Sequence, residues 1–241
     1  DRKKGWRAFV ELRKALRGRR FDLVLALQDY FKAGLITRML RADRKIGLDR
    51  RRARDLNWLF TTEQVRPRNR QHTQDQYLEF LEHLDVPAHL DWAGLAPSAA
   101  ESERYADLLP GFAGPTAALV IGTSRPAKEW STAKYAELID RMHEELGIRS
   151  ILVGGRSDRE EEAAQEILAR ARHRPSDLRE WDLRRVVYLL DRADLVISPD
   201  TGPLHVAVAL GTPSIALMGY TNPKRVGPYR FRDLLVDAYG D

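Results

Sequence analysis

Apolar residues recur at two different periods in the first part of the chain. Helical spacing over 6–16, 32–40 and 77–84 predicts amphipathic helices. The continuous apolar run 21–27 predicts a buried strand, and 45–48 is long enough for a second, short one. Two or three strands are few for a doubly wound domain, and the chain begins on a helix without Met. We therefore expect an incomplete N-terminal domain, with an N-terminal segment absent from this chain.

The pattern is more regular in the second part of the chain, where short apolar runs alternate with stretches of helical periodicity. This alternation predicts βαβ units and a parallel sheet. The predicted strands are 117–121, 149–153, 194–198 and 214–218, and the predicted helices are 131–146, 158–170 and 204–210. Pro87, Pro97 and the small residues between them indicate a connection, so we predict domains over 1–95 and 96–241.

One segment interrupts this alternation. A strand should lie at 173–181, between two helices, but the segment contains Pro175 and no β-branched residue. We expect that the strand is missing at this point.

Composition limits the classes of protein to which the chain can belong. With 43% hydrophobic residues it can form a core, and with no cysteine it has neither disulfides nor thiolate metal sites. No apolar run approaches the roughly 20 residues that span a bilayer, so we predict a soluble, cytoplasmic protein.

The net charge of +5, with dense basic stretches at 13–20 and 50–54, favours anionic partners. Nucleic acid is not expected, because no aromatic platform or nucleic-acid module accompanies the charge.

The segment 198–205 has the features of an anion site. A predicted strand ends at Ser198, and a turn that contains Asp200, Thr201 and Gly202 leads into a helix. The first turn of a helix presents unpaired N–H groups, and glycine permits a close approach of ligand to backbone. His205 lies in the same turn and can face a ligand. The alternative interpretation is a capped helix start with a surface histidine.

Two further loops favour the ligand interpretation. Thr123, Ser124 and Lys128 follow a predicted strand and precede a helix, which suits an anionic ligand. The loop 153–160 also follows a strand; its paired glycines permit close approach, and Glu160 can accept from ribose hydroxyls. Three such loops at the carboxyl ends of one parallel sheet predict a phosphate-containing ligand. The tripeptide Asp200-Thr201-Gly202 is also that of aspartic proteases, in which two copies bring two carboxylates together. This sequence contains a single copy, so it cannot form that carboxylate pair.

These motifs resemble a known family. SPDTGPLHVAVALGTPSIALMGYTNP resembles the donor-binding signature of family 9 glycosyltransferases, the bacterial heptosyltransferases, and GTSRPAKEW and VGGRSDRE are similar to two of the family's other loops. FDLVLALQDYFKAGLITRML and RKIGLDRRRARD resemble the family more loosely, and nothing in 87–114 is diagnostic. The resemblance implies an α/β glycosyltransferase B fold of two Rossmann-like domains, the first incomplete. It also implies transfer of heptose from ADP-heptose to the lipopolysaccharide inner core, without a cofactor or metal.

The resemblance also implies roles for particular residues. The diphosphate or sugar would contact Thr123, Ser124 and Lys128, while the ribose would contact Glu160. Phosphate would bind the backbone amides of Thr201 and Gly202, with Asp200 and His205 beside them. For the anionic lipopolysaccharide acceptor the candidates are Gln28, Lys32 and Arg54, and contact with the cytoplasmic face of the inner membrane is expected.

Departures from the family leave alternatives open. The family's first strand and its proposed general-base aspartate have no counterpart, so we predict no catalytic base within this chain. A UDP-sugar-dependent transferase and a non-catalytic nucleotide-sugar-binding relative remain as alternative functions.

Overall fold

A computed structural model describes residues 5–109 and 114–240. It divides into two compact units, Asp1–His89 and Leu90–Asp241, which we call the N-terminal and C-terminal units. The predicted boundary near residue 95 lies a few residues beyond this division.

The N-terminal unit alternates helices and strands. Its elements are α1 (Gly5–Leu16), β1 (Phe21–Ala26), α2 (Phe31–Met39), β2 (Ala42–Gly47), a 3₁₀ turn (Asn57–Phe60), β3 (Glu63–Gln64) and α3 (Thr73–His83). Its three strands are parallel, in the order β1-β2-β3 within the described residues. The apolar ends of β2 and α3 supply its small core, in which Ile46, Leu48, Val65 and Phe80 are buried.

A buried ion network connects the end of β2 to α3. The guanidinium of Arg52 donates to both carboxylate oxygens of Glu79, at 2.7 and 2.6 Å, and to Asp49. All three side chains are almost completely buried. Removal of one partner would leave a buried charge uncompensated, which typically costs about 3–5 kcal/mol. The network therefore fixes the loop that follows β2.

The C-terminal unit contains a longer alternation. Its strands are β4 (Thr116–Val120), β5 (Arg149–Val153), β6 (Ser176–Asp177), β7 (Leu195–Pro199), β8 (Ser214–Met218) and β9 (Leu235–Asp237). Its helices are α4 (Ala99–Arg104), α5 (Thr132–Leu146), α6 (Asp158–Arg170), α7 (Leu183–Arg192), α8 (Gly202–Leu210) and α9 (Pro223–Val226). Short 3₁₀ turns lie at Ala93–Leu95, Ala106–Leu108, Pro126–Lys128 and Arg232–Leu234.

These strands form one parallel sheet, in the order β6-β5-β4-β7-β8-β9. Every residue of the central strand β4 is buried, because helices cover both faces of the sheet. Alternate residues face opposite ways: Ala118 and Val120 pack with α7 and α8, whereas Ala117 and Leu119 pack with α5 and α6. The predicted α/β class with parallel sheets is confirmed.

Capping residues define the helix ends beside the site. Ser157 and Glu160 form a reciprocal capping box at α6, and Asp182 accepts from two amides at the start of α7. Ser131 is the N-cap residue of α5, although its side chain makes no cap hydrogen bond. Gly147 and Gly211 end α5 and α8 in the left-handed conformation.

The prediction of a missing strand at 173–181 is wrong. Ser176 and Asp177 form β6, which pairs in parallel with β5, and the amide of Glu180 donates to the carbonyl of Gly154. β6 has no apolar run because it lies at the edge of the sheet. The residues around it are held by ion pairs, such as that between Arg179 and Asp177, and not by the packing of β-branched side chains. Among the described residues, no helix is long and apolar enough to cross a membrane.

Candidate functional site

The three loops predicted to contact phosphate lie side by side in the C-terminal unit. β4 pairs with β5 on one side and with β7 on the other, and all three strands run parallel. The loops after them therefore meet at one edge of the sheet, where ligands bind in open α/β folds. A cavity of about 400 Å³ opens between them. Its lining includes Gly122, Thr123, Ser124, Gly154, Gly155, Glu160, Glu180, Trp181, Leu183, Thr201 and Gly202.

A smaller cavity of about 160 Å³ lies between the loops after β4 and β7, which supply Lys128 and Asp200, and the end of β8, the segment after it and β9. Here the ammonium of Lys128 donates to the Asp200 carboxylate at 2.5 Å and to the Asp200 carbonyl at 3.3 Å. Thr221 donates to the same carboxylate at 2.7 Å, and Nε2 of His205 lies 3.5 Å from its other oxygen. The structure thus brings together the predicted residues Lys128, Asp200 and His205.

The carboxyl group of Asp200 stays ionised in this environment. Burial alone would raise its pKa, but hydrogen bonds from His205, Lys128 and Thr221 outweigh burial and hold the pKa far below its usual range. A group with so low a pKa is a weak general base. The geometry therefore suits Asp200 to position its cationic and hydroxyl neighbours.

The N-terminus of α8 presents backbone N–H groups toward the larger cavity. Thr201 is the N-cap residue, but its side chain makes no cap hydrogen bond and instead lies 3.0 Å from the hydroxyl of Ser198. A Cβ on Gly202 would meet no atom within 4 Å. Open space and uncapped amides at the positive end of a helix suit an anion, and they favour the ligand interpretation over a capped helix start.

Glu160 is held in place by the loop in which it lies. Its carboxylate accepts from the amides of Gly155 and Ser157 at 2.9 and 3.1 Å, and from the Ser157 hydroxyl at 2.6 Å. Burial would raise its pKa, but these hydrogen bonds lower it. A Cβ at Gly122 would come within 1.9 Å of this carboxylate, so the loop after β4 needs glycine at this position for Glu160 to keep its place.

Arg179 organises the same loop but was not identified from the sequence. Its side chain is completely buried and donates to the Asp177 carboxylate at 2.8 Å and to the carbonyl of Glu160 at 2.9 Å. A further hydrogen bond reaches Glu161 at 3.2 Å. The only sequence signal for this network is an arginine between two carboxylates, in the segment that we expected to be irregular.

Trp181 is a second residue that the sequence interpretation missed. Its side chain is 70% exposed, and its ring lies so close to Gly155 that a Cβ there would approach it to 2.8 Å. An exposed aromatic ring at the mouth of a cavity offers a flat surface for a planar ligand group.

The chain is similar to known proteins over nearly its whole length. A family model described as "Glycosyltransferase family 9 (heptosyltransferase)" matches residues 9–238. The chain belongs to glycosyltransferase family 9.

Individual members of the family are also similar to this chain. The lipopolysaccharide core heptosyltransferase OpsX of Haemophilus influenzae is 32% identical, over 99% of this chain and 69% of its own length. E. coli heptosyltransferase WaaC, solved with ADP, is 28% identical with a TM-score of 0.72, over 94% of this chain and 71% of that one. WaaC with ADP-2-deoxy-2-fluoro heptose gives a TM-score of 0.70 at 28% identity, over 92% of this chain and 70% of that one.

The acceptor candidates of this family 9 member lie in the N-terminal unit, after the carboxyl ends of its strands. Gln28 and Lys32 are exposed between β1 and the first turn of α2, and the Lys32 ammonium lies 5.9 Å from the ring of Phe9. The guanidinium of Arg54 lies 3.4 Å from the Asp29 carboxylate. These residues share one edge of the small sheet.

Proposed function

We propose that this family 9 glycosyltransferase transfers heptose from ADP-heptose to the inner core of lipopolysaccharide. The observation that carries the proposal is the convergence of the three strand-end loops around open helix amides and a pre-positioned lysine. The names of the related proteins, lipopolysaccharide heptosyltransferases, support the donor and the acceptor.

The donor diphosphate would occupy the space between Lys128 and the start of α8. A lysine ammonium has three N–H donors, and Asp200 accepts two of them. The third donor is therefore available to phosphate without loss of the ion pair. The amides of Thr201 and Gly202, with the hydroxyls of Thr123 and Ser124, would complete the phosphate contacts.

The nucleoside would lie at the other end of the larger cavity. The ribose hydroxyls would donate to Glu160, whose carboxylate oxygens have lone pairs beyond those that the loop uses. The face of Trp181 would stack on the base. Glu160 is fixed by its own loop, so the cavity is organised before the ligand binds.

Transfer would proceed by displacement at the anomeric carbon. The bond from that carbon to the diphosphate oxygen breaks as the acceptor hydroxyl oxygen attacks, and ADP leaves with additional negative charge. Lys128 and the α8 amides would stabilise this developing charge. One such pre-organised donor is typically worth about 3 kcal/mol, or on the order of a hundredfold in rate.

The general base is not assigned to the donor site. Its central carboxylate, Asp200, has too low a pKa to accept the acceptor proton efficiently. On the acceptor side, Gln28, Lys32 and Arg54 would contact phosphorylated core sugars at the carboxyl edge of β1 and β2. An acceptor of this kind would bring the enzyme to the cytoplasmic face of the inner membrane as a peripheral protein.

We propose further that transfer needs no metal. Across residues 5–109 and 114–240, no group of three histidine or acidic side chains could hold a metal ion. Lys128 and the α8 amides would supply the positive charge that a divalent ion supplies in other transferases.

A donor panel tests the proposed function. We expect transfer from ADP-heptose to an inner-core acceptor, equal with and without EDTA, and little transfer from UDP-sugars. Preference for a UDP-sugar would support the alternative transferase. Binding of ADP-heptose without transfer would support a non-catalytic relative, and loss of activity in EDTA would contradict the metal-free mechanism.

A further inference from the structure

The C-terminal unit contains a separate cavity at the edge of its sheet opposite to the three loops of the donor site. This cavity encloses about 490 Å³ and lies at the amino ends of β5 and β6, beside α5 and the segment that follows α6. Its lining is rich in arginine, histidine and serine, and includes His143, Arg149, Ser150, Arg172, His173 and Arg174. None of the described residues that line it is acidic. The cavity therefore presents mainly hydrogen-bond donors.

A buried serine in this lining has no hydrogen-bond partner. Ser150 is only 7% exposed, and its hydroxyl contacts no donor or acceptor in residues 5–109 and 114–240. Its side chain points toward α5, because Leu152, two residues further along β5, packs on that face of the sheet. A buried hydroxyl without a partner is destabilising, and native structures rarely keep one. This hydroxyl is available to a ligand that enters the cavity.

Arg172 is held in place with part of its guanidinium free. Its Nε lies 3.3 Å from the Asp140 carboxylate, and its Nη2 lies 3.0 and 3.3 Å from the two carboxylate oxygens of Glu144. A guanidinium carries five N–H donors, so the two on Nη1 have no acceptor among the described residues. Asp140 and Glu144 do not line the cavity. They fix the arginine without occupying the space in front of its free donors.

Arg174 has no acidic partner in the part of the chain that the structure describes, and its side chain is exposed. Exposed arginines on the neighbouring helices are paired: Arg141 with Glu145 at 3.0 Å, and Arg170 with Glu166 at 2.8 Å. The free guanidinium is therefore a feature of the cavity and not of exposed arginines in this unit generally.

Two stacked histidines lie beside these arginines. The ring centroids of His143 and His173 are 4.0 Å apart. His173 is fixed, because its amide donates to Asp140 at 2.8 Å and its Nε2 lies 3.1 Å from the Glu144 carboxylate. His143 is exposed and makes no hydrogen bond to the described residues. Its ring nitrogens are available to a ligand, and its partner holds the ring in place.

We propose that this cavity is a second anion site, which binds a phosphate group, either as the free ion or as part of a phosphorylated small molecule. A phosphate offers several acceptor oxygens, and arginine matches its geometry with paired N–H donors. The three arginines of the lining outnumber the two carboxylates that hold Arg172. The inference goes beyond the proposed function and does not depend on it, because the cavity lies at the other edge of the sheet.

The bland alternative is a surface ion network without a ligand. Such a network accounts for Arg172 and His173, which have carboxylate partners. It leaves Arg174, His143 and the buried hydroxyl of Ser150 unexplained. A metal ion does not fit either, since the described residues contain no group of three histidine or acidic side chains that could hold one.

Histidine NMR of the 241-residue chain with saturating ADP tests the site. The ring signals of His143 and His173 report on the cavity, and that of His205 reports on the donor site. We expect inorganic phosphate, added at constant pH, to shift the signals of His143 and His173 and to leave that of His205 unchanged. Sodium chloride at the same ionic strength should shift none of them. Absence of the phosphate shifts, or equal shifts from chloride, would overturn the proposal.

The arginine variants test charge. Arg174→Gln removes a charged donor from the cavity, so it should weaken phosphate binding about tenfold or more. The matched control is Arg141→Gln, an ion-paired arginine on α5 outside the lining, which should change binding less than about twofold. Equal losses in the two variants would mean that phosphate responds only to the overall charge, and would overturn the proposal.

The serine variant separates binding from folding. Ser150→Ala removes a buried hydroxyl that has no protein partner, so the melting temperature without phosphate should stay the same or rise. Phosphate binding to the same variant should weaken by about threefold to tenfold. A lower melting temperature with unchanged phosphate affinity would show that the hydroxyl serves the fold, and would overturn the proposal.

Glucose 6-phosphate distinguishes the two sources of phosphate. Tighter binding than that of inorganic phosphate would assign the site to a phosphorylated small molecule, and equal or weaker binding would assign it to the free ion. Failure of the His205 signal to respond to ADP, with normal phosphate shifts at His143 and His173, would contradict the proposed donor site and leave the second site intact.

Discussion

The two basic sites of this protein differ in how their charge is held. In the C-terminal unit, Lys128 is largely buried and fixed by Asp200, so one cation is aimed at one position. In the N-terminal unit, an open groove is lined by six cations that have no acidic partner among the residues that the structure describes: Arg13, Lys14, Arg17, Arg38, Arg41 and Lys45. A fixed, desolvated charge suits a ligand of defined shape, whereas charges exposed to water are weakened by screening from salt.

The largest loss of ADP affinity that we predict comes from a substitution that blocks the backbone amides of the site without changing its charge. Gly202→Val places a branched side chain where a bare amide faces the cavity, in space that the protein leaves open. Because Gly202 does not have a positive φ, the substitution adds no left-handed strain. ADP affinity, measured by calorimetry, should fall by on the order of a hundredfold or more.

The control for this substitution is Gly94→Val, because a Cβ at Gly94 would also meet no atom within 4 Å. Both variants should melt close to the parent, and only Gly202→Val should lose stabilisation by ADP. If Gly202→Val responds to ADP as the parent does, the start of α8 is a plain helix terminus.

The fixed cation itself is tested by Lys128→Ala. A charge-assisted hydrogen bond contributes about 1.5–3 kcal/mol, so ADP affinity should fall about ten- to a hundredfold, while adenosine affinity changes little. Lys134→Ala, an exposed lysine on α5, is the control. Equal losses for ADP and adenosine would show that Lys128 only supports the fold.

A smaller effect is expected at the nucleoside end of the cavity. Gly122→Ala would push the Glu160 carboxylate away from Gly155 and Ser157, because the new Cβ would lie 1.9 Å from it. We expect unfolding free energy to fall by about 1–3 kcal/mol, and ADP and adenosine to weaken by similar factors. Gly94→Ala should change neither quantity. A loss confined to ADP would place Glu160 at the diphosphate.

The smallest effect concerns pH. The folded-state pKa of Asp200 lies below the unfolded value near 3.9, so its stabilisation is present above about pH 4 and is lost as the pH falls. Between pH 5 and pH 3, urea unfolding should show the parent losing about 1 kcal/mol more than Asp200→Asn. Parallel losses in the two proteins would mean that Asp200 titrates normally.

The sequence predicted regular elements well where the hydrophobic period and the caps agreed. β5, α6 and β8 have the predicted bounds, because short apolar runs define the two strands and the Ser157–Glu160 capping box marks the start of α6. β6 could not be predicted, since an edge strand of two residues has no period. β9 also lies at an edge, and nothing in its local pattern distinguishes it from a loop.

The candidate site also has features that the sequence predicted and features that it did not. The three loops were predictable because parallel strands bring their carboxyl ends together. Other features of the site depend on contacts that the local sequence pattern does not reveal. These are the Lys128–Asp200 pair, the buried guanidinium of Arg179 and the position of Trp181 against Gly155. Such contacts become visible only when the register of the sheet is known.

Amide hydrogen exchange with and without ADP reports on the backbone of both units at once and so tests where ADP binds. We expect slower exchange in 122–128, 153–160 and 201–205 when ADP is bound, and no change in 10–17 or 38–45. Unchanged exchange in those three loops, or protection confined to the basic groove, would contradict this expectation.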